Sequence, residues 1–137
     1  MMPDNLGDGS KPECHVGFSI FGISLDFEGM SKALDLQPSD TRHAGDRGAL
    51  GTYPTDVWSI ESPLKKREPI DLHLNWLKEK LEPHFDFLRS FEGQAQVRVY
   101  IGFTFDCEQN GFSISPENLK FLTELNTPME VTILCGP

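Results

Sequence analysis

The sequence lacks the cysteine patterns that indicate a disulfide framework or a metal site. Its three cysteines, Cys14, Cys107 and Cys135, are an odd number without a CxxC spacing. Reduced thiols in a cytoplasmic protein are therefore the simplest interpretation. The sequence also contains no HxxxH or DxDxDG pattern, and a metal site needs at least three or four ligands. We therefore predict no metal and no cofactor.

Long apolar runs are missing as well. No stretch approaches the ~20 consecutive apolar residues that a membrane-spanning helix needs. The first residues, MMPDNLGDGSKPE, contain no apolar core, so they read as neither a secretory nor an anchoring segment. We predict a flexible tail over residues 1–13, because so polar a stretch cannot offset the entropy of ordering. A single domain over residues 14–137 follows from the length of the chain.

Positive charge is scarce. The 12 lysines and arginines stand against 21 aspartates and glutamates, which gives a formal net charge of -9. That charge repels the phosphates of nucleic acids and of anionic membranes, and it attracts basic proteins at long range. The composition, 38% hydrophobic and 24% charged, is ordinary for a globular protein. We therefore predict a protein that binds neither nucleic acid nor membrane.

Apolar residues that alternate with polar ones predict strands, and apolar residues at helical spacing predict helices. Strands are predicted at HVGFSIFG, DVWSIES, QVRVYIGFTF, GFSIS and MEVTILC. Helices are predicted from Ser24 or Asp26 to Leu36, over 70–91 with a break at Pro83, and after Ser115. A turn at Asn110 and Gly111 would join QVRVYIGFTF and GFSIS into a hairpin.

The resulting order, β-α-β-α-β-β-α-β, predicts an α+β fold. Elements of this kind bury their apolar sides in a two-layer sandwich, with about five mostly antiparallel strands and the helices packed on one face. The hairpin, the helix after it and the last strand would form half of a ferredoxin-like arrangement. Alternation along QVRVYIGFTF places Arg98, Tyr100 and Thr104 on the face of the sheet that the helices leave free.

The segment 36–62, LQPSDTRHAGDRGALGTYPTDVWSIES, carries the densest set of polar side chains in the chain. Three glycines and a proline keep its middle irregular, and irregular segments of this length are usually functional or mobile. We therefore predict a partner-binding surface where this segment borders the free face of the sheet. The residues predicted to form it are Asp40, Arg42, His43, Asp46, Arg47, Tyr53, Arg98 and Tyr100.

Two small constellations have both a chemical and a structural interpretation. His43 and Asp46 would form an acid–base or metal pair, or else a turn in which the carboxylate binds backbone N–H groups. Cys14, His15 and Cys135 would cluster if the first and last strands were neighbours, although free cysteines are mostly small buried apolar residues. In both cases the structural interpretation is the stronger one, and we predict no catalytic residue.

Several stretches resemble a known family. VGFSIFG, LDLQPSDTRHAGD, the strand with Trp58, HLNWLKEKLEP and FSISPENLKFLTELN are similar to the bacterial domain-of-unknown-function family 4279, over about residues 15–135. The most specific positions are Leu36, Pro38, Ser39, Gly45, Asp46 and Trp58. The resemblance implies a small cytosolic bacterial protein without an established activity. Some relatives of this general kind lie beside toxins as immunity proteins, which implies no role for any residue.

Three functions remain open at this point. The first is a non-catalytic, immunity-type inhibitor that binds a basic bacterial toxin, which the charge and the resemblance favour. The second is a small-molecule-binding or regulatory domain in which Arg98, Tyr100 and His43 contact an anionic ligand. The third is a hydrolase or transferase that uses His43 with Asp46, which requires the two side chains to converge in a cleft. The sequence leaves the oligomeric state undetermined.

Overall fold

The computed structural model describes residues 12–91, 94–106 and 110–135. Its main sheet has five strands in the order β2-β5-β1-β6-β7. These strands are β1 (Glu13–Gly22), β2 (Asp40–Arg42), β5 (Asp56–Glu61), β6 (Ala95–Phe105) and β7 (Met129–Cys135). A separate small hairpin consists of β3 (Arg47–Gly48) and β4 (Gly51–Thr52). All neighbouring strands of the main sheet are antiparallel except β6 and β7, which are parallel.

The helices are α1 (Phe27–Leu34), α2 (Ile70–Leu81), α3 (Phe85–Arg89) and α4 (Pro116–Leu125). Asp26 caps α1 and Ser115 caps α4, each by accepting a backbone N–H from the third residue after it. A 3-10 turn that contains Pro83 separates α2 from α3, since proline cannot donate the backbone hydrogen bond that would continue the helix. The predicted caps and the predicted break are confirmed.

One face of the sheet carries the core. Three alternate residues of β1, Val16, Phe18 and Ile20, have no exposed surface and belong to the core that the helices cover. Trp58 on β5 is also fully buried, and its indole N–H donates to Ser31 Oγ on α1 at 3.2 Å. Because the apolar side chains of the strands pack against those of the helices on this side of the sheet, the predicted two-layer α+β fold is confirmed.

The predicted hairpin between β6 and GFSIS is wrong. Residues 111–115 form no strand, because β1 already pairs with one side of β6 and β7 with the other. Phe112 instead packs its ring against that of Phe103, with 5.1 Å between the centroids. The N–H of Ser115 donates to Asp71 Oδ1 at 2.8 Å. The fifth strand is β2, within the polar segment, so the predicted ferredoxin-like half is not formed.

The predicted tail, residues 1–13, falls mostly outside the described residues, which begin at position 12. Strand β1 starts at Glu13, so the boundary of the ordered strand lies one residue before the predicted start of the domain. In the part of the chain that the structure describes, none of the helices combines the length and the apolar character needed to cross a membrane.

A buried carboxylate connects the polar segment to the start of α1. Asp56, at the beginning of β5, accepts the backbone N–H of Ala44 at 2.8 Å and that of Leu25 at 2.9 Å. These hydrogen bonds, from Ala44 first and then from Leu25, hold the pKa of the Asp56 carboxyl below its ordinary value. Asp56 therefore holds together two loop residues, Leu25 and Ala44, that are 19 positions apart in the sequence.

A second carboxylate holds α4 against α2. Burial alone would raise the pKa of Asp71, but hydrogen bonds from the Asn118 side chain and from Ser115 outweigh it and leave the pKa below its ordinary value. The fully buried Asn118 also donates to Asn75 Oδ1 at 2.8 Å. This polar network fixes the position of α4 along α2.

We expect the protein to lose stability in acid through these two carboxylates. Their folded pKa values lie below the unfolded value of about 4, so the unfolded chain takes up protons first and stability falls as the pH drops below that value. Asp56→Asn should lower the free energy of unfolding at neutral pH and flatten its decline in acid. Urea denaturation between about pH 3 and pH 7 measures both effects.

The matched control is Asp86→Asn, because the Asp86 side chain is fully exposed on α3. This variant should reproduce the wild-type dependence on pH. Wild type and Asp56→Asn declining in parallel through the acid range would show that the backbone hydrogen bonds of Asp56 contribute nothing to that dependence.

Candidate binding face

The face of the main sheet opposite the helices carries most of the predicted site. Residues paired across neighbouring strands project to the same side, and Ser19 stands opposite both Ser59 and Arg98 in the register. We call this surface the open face. Its side chains come from Glu13, His15, Ser19, Phe21, Asp40, Arg42, Val57, Ser59, Glu61, Gln96, Arg98, Tyr100, Thr104, Glu130, Thr132 and Leu134.

Tyr100 occupies the middle of the open face. Its phenol donates to Glu61 Oε1 at 3.2 Å, and the other oxygen of Glu61 lies 3.7 Å from His15 Nδ1. Burial first, and then the negative charge of Glu61, raise the pKa of Tyr100 above its ordinary value. Tyr100 is therefore a neutral hydrogen-bond donor under ordinary conditions, and a poor candidate for a general base.

The ring of Tyr100 lies flat because the residue beneath it is glycine. A methyl group at Gly17 would overlap the phenol oxygen and ring of Tyr100 and would also crowd the Ile60 carbonyl oxygen. Gly17 stands between Glu61 on β5 and Tyr100 on β6 in the register, so the ring crosses directly over β1 to reach Glu61. A single missing side chain thus allows the phenol and the carboxylate to meet.

Arg98 is held between an aromatic ring and a carboxylate. Its guanidinium carbon lies 4.8 Å from the centroid of Phe21, within the range of a cation–π contact. One guanidinium nitrogen lies 3.2 Å from Glu130 Oε2 on β7. These contacts orient the planar guanidinium across β1, β6 and β7, so Arg98 presents a fixed rather than a mobile positive charge.

The β2 edge of the open face brings three predicted residues together. Arg42 Nε lies 3.1 Å from Asp40 Oδ2, and the guanidinium carbon lies 5.9 Å from the ring centroid of Tyr53. Asp40 and Arg42 belong to β2, whereas Tyr53 directly follows the small hairpin β3–β4. Together with Arg98 and Tyr100, five of the eight predicted site residues therefore lie on the open face or at its edge.

His43 lies on the other side of the sheet. Its ring centroid is 5.0 Å from that of Phe27 on α1, and its Nδ1 is 3.9 Å from Asp56 Oδ1. Both neighbours lie on the helix side of the sheet. Phe27 belongs to α1, and Asp56 projects from β5 to the same side as the buried Trp58. The anionic-ligand set predicted from Arg98, Tyr100 and His43 is therefore split between two faces, and the structure does not bring it together.

His43 and Asp46 form a turn. Asp46 Oδ2 accepts the backbone N–H of His43 at 2.8 Å, and the Asp46 N–H donates to the His43 carbonyl at 3.0 Å. Both residues are exposed, as is Arg47 at the start of β3. The geometry matches the turn interpretation of this pair, and it gives no cleft in which imidazole and carboxylate converge.

The cysteines of the first and last strands do not meet. Strand β6 lies between β1 and β7, with Cys14 opposite Phe103 and Cys135 opposite Phe105. Cys14 faces the core, where burial raises the pKa of its thiol, while His15 faces the open side. Within the described residues, no group of three or more histidine, cysteine or acidic side chains is arranged to hold a metal ion. Cys107 lies outside the described residues.

A buried serine–histidine pair was not predicted from the sequence. Ser62 Oγ lies 2.7 Å from His73 Nδ1 and also accepts the N–H of Leu64 at 3.3 Å. His73 is 1% exposed, and burial lowers the pKa of its imidazole, so the ring stays neutral. With the hydroxyl buried as well, the pair connects the end of β5 to α2 and presents no nucleophile to the surface.

Glu61 and Glu130 were also missed, although each pairs with a predicted residue. The alternation in β5 did predict that Glu61 projects to the side opposite Trp58 and Ile60, which is the open face. Its partnership with Tyr100, 39 residues away, depends on β1 lying between β5 and β6. No spacing within the sequence carries that information.

We expect Gly17→Ala to destabilise the fold by about 1–3 kcal/mol, because the added methyl displaces the Tyr100 ring. Gly102→Ala is the matched control, since a Cβ there would meet His15 Cβ at 3.5 Å, an ordinary contact distance. Urea denaturation of both variants measures the difference, and equal stabilities would show that Tyr100 does not need the space above Gly17.

Comparison with known proteins places these observations in a family. The chain matches the family described as Domain of unknown function (DUF4279) over residues 12–136. No curated protein and no solved structure matches it significantly. The match spans nearly the whole chain, including every strand of the open face, so this protein belongs to the DUF4279 family.

Proposed function

We propose that this protein is a non-catalytic binding protein that docks a basic protein partner on its open face. The observation that carries the proposal is the arrangement of that face, which is a polar and aromatic surface whose side chains are held in place by their own hydrogen bonds and ion pairs. Protein partners are commonly recognised on such surfaces, whereas small molecules are held in concave, mostly apolar pockets.

Charge supports a basic partner. The open face carries four carboxylates, from Glu13, Asp40, Glu61 and Glu130, against two guanidinium groups, from Arg42 and Arg98. This local excess has the same sign as the net charge of -9 over the whole chain. An acidic face on an acidic protein accelerates the encounter with a basic partner and disfavours acidic competitors.

The residue types support a protein interface. Tyrosine and arginine dominate the energetically important positions of interfaces, because each buries a large area and also forms specific polar contacts. Tyr100 and Arg98 are both held by neighbours on the open face, Tyr100 by Glu61 and Arg98 by Phe21 and Glu130. Side chains ordered before binding lose less conformational entropy when the partner arrives.

Two observations favour binding over catalysis. The raised pKa of Tyr100 keeps its phenol protonated, and the carboxylate of Asp46 is engaged by the backbone of its own turn. A general acid or base needs a pKa near the working pH and access to a reacting atom. More specifically, we propose an immunity-type role, in which the bound partner is a basic toxin and the open face covers the surface that the toxin needs.

The experiment measures binding of this protein to the product of the gene directly upstream, purified in an inactive form if it is toxic. Asp40→Lys should weaken the complex by about tenfold or more, because it places a like charge against a basic partner. The wild-type affinity should also fall as the salt concentration rises. Titration calorimetry at two salt concentrations gives both results.

Glu79→Lys is the matched control, since it makes the same change in net charge at an exposed position of α2. Its affinity should stay close to that of wild type. Equal losses for the two variants would show that only overall charge matters. If the upstream product does not bind, capture from a lysate of the source cells replaces it. Binding that salt leaves unchanged, or the absence of any partner, would contradict the proposal.

A further inference from the structure

The two edges of the main sheet differ in a way that the open face does not explain. At one edge, β2 is three residues long and carries the ion pair of Asp40 and Arg42. Natural sheets protect their edges with short strands and charged side chains of this kind. At the other edge, β7 runs for seven residues, MEVTILC, without lysine, arginine or proline, and every residue of it is exposed.

Strand β7 exposes apolar side chains on both faces. Met129, Val131 and Ile133 lie in line with the buried side chains of β6, whereas Leu134 belongs to the open face. Of the nine large apolar side chains exposed in the described residues, these are four, and Ile133 and Leu134 are each more than half exposed. Apart from Glu130, which is paired with Arg98, β7 has none of the charges or prolines that protect an edge, and a long, largely apolar edge strand is a template for a further strand.

The ladder with β6 leaves the outward backbone groups of Val131 and Ile133 on β7 unused. Val99 on β6 donates its N–H to the Pro128 carbonyl at 3.0 Å, which fixes the phase of the parallel ladder. In a parallel ladder, every second residue of a strand directs both its N–H and its C=O to the same neighbouring strand, and the residues between them direct theirs the other way. Even-numbered residues of β7 therefore bond to β6, and the N–H and C=O groups of Val131 and Ile133 point away from the sheet.

We propose that β7 pairs with β7 of a second copy of this chain, antiparallel and with Thr132 on the two-fold axis. In this register Val131 of one copy stands opposite Ile133 of the other, so their outward N–H and C=O groups bond each other and their apolar side chains meet. Glu130 then stands opposite Leu134. Moving the axis to Glu130 would keep the hydrogen bonds but oppose two like charges, which is unfavourable.

A second copy fits this edge better than an unrelated strand. The pairing closes on itself, so it ends at a dimer, and among the strands of the described main sheet it leaves the short, charged β2 edges free. Because exposed apolar side chains lie on both faces of β7, pairing two copies of it buries apolar surface on both sides of the joined sheet. The dimer would have one continuous ten-stranded sheet.

Sedimentation velocity over an approximately hundredfold range of protein concentration tests the proposal. Wild type should pass from monomer to dimer, and the dimer should strengthen with salt, because screening reduces the repulsion between two copies of charge -9. Ile133→Lys should raise the dissociation constant by at least about tenfold, since lysine on an edge strand opposes pairing. Leu50→Lys makes the same charge change at the fully exposed tip of the β3–β4 hairpin, and it should dimerise as wild type does.

Cross-linking tests the register. In a background with Cys107→Ser and Cys135→Ser, Thr132→Cys should form a disulfide-linked dimer under mild oxidation, because the two residues on the axis form a close, non-hydrogen-bonded pair. Thr52→Cys, exposed on β4, should remain largely unlinked. A wild type that stays monomeric at every concentration would overturn the proposal. Equal association of Ile133→Lys and wild type, or equal cross-linking of the two cysteine variants, would do so too.

The salt dependence separates this proposal from the proposed function. A basic partner on the open face binds less tightly as salt increases, whereas the β7 pair becomes tighter. The two surfaces are also changed by different variants, Asp40→Lys and Ile133→Lys. Each proposal can therefore fail without the other.

Discussion

Strand β1 is hydrogen-bonded along both of its edges, to β5 on one side and β6 on the other, and the remaining structure depends on this double pairing. The pairing places Val16, Phe18 and Ile20 over the helices with no exposed surface. A slip of one residue in either register would turn these side chains to the opposite face. Burial of the apolar residues thus specifies the register, and the register in turn determines which polar side chains meet on the open face.

The open face shows how a polar surface is ordered without being buried in a core. Because Gly17 has no side chain, the ring of Tyr100 lies over β1, and its phenol donates a hydrogen bond to Glu61 on β5. Arg98 is fixed in the same way between Phe21 and Glu130. Each of these contacts joins residues on different strands, so the open face depends on the assembled sheet and not on any single segment of the chain.

The two edges of the sheet complement this arrangement. The β2 edge is short and charged, and it joins the open face to the polar segment through Arg42 and Tyr53. The β7 edge is long and largely apolar, and the outward backbone groups of Val131 and Ile133 lie in the plane of the sheet. Because a strand added at β7 extends the sheet sideways, it leaves the open face accessible. Docking on that face and pairing at this edge are therefore compatible in one molecule.

Local patterns predicted a large part of the fold. The alternation in HVGFSIFG, DVWSIES, QVRVYIGFTF and MEVTILC identified four of the five strands of the main sheet, because a strand with one buried face has a two-residue period. Asp26 and Ser115 identified the starts of α1 and α4, and Pro83 identified the break between α2 and α3, from their backbone chemistry alone. The resemblance to the family was also visible in the sequence, and the match over residues 12–136 confirmed it.

The sequence by itself thus determined most of the elements, the inward and outward phases of most strands, and the acidic character of the surface. Strand order was decided only in the tertiary structure. It placed β6 between the two terminal cysteines, put β2 rather than GFSIS at an edge, and moved His43 to the helix side. It also brought Glu61 to Tyr100. The physical reason is that pairing between distant strands depends on competition among all their edges and apolar faces, and no local spacing records the outcome of that competition.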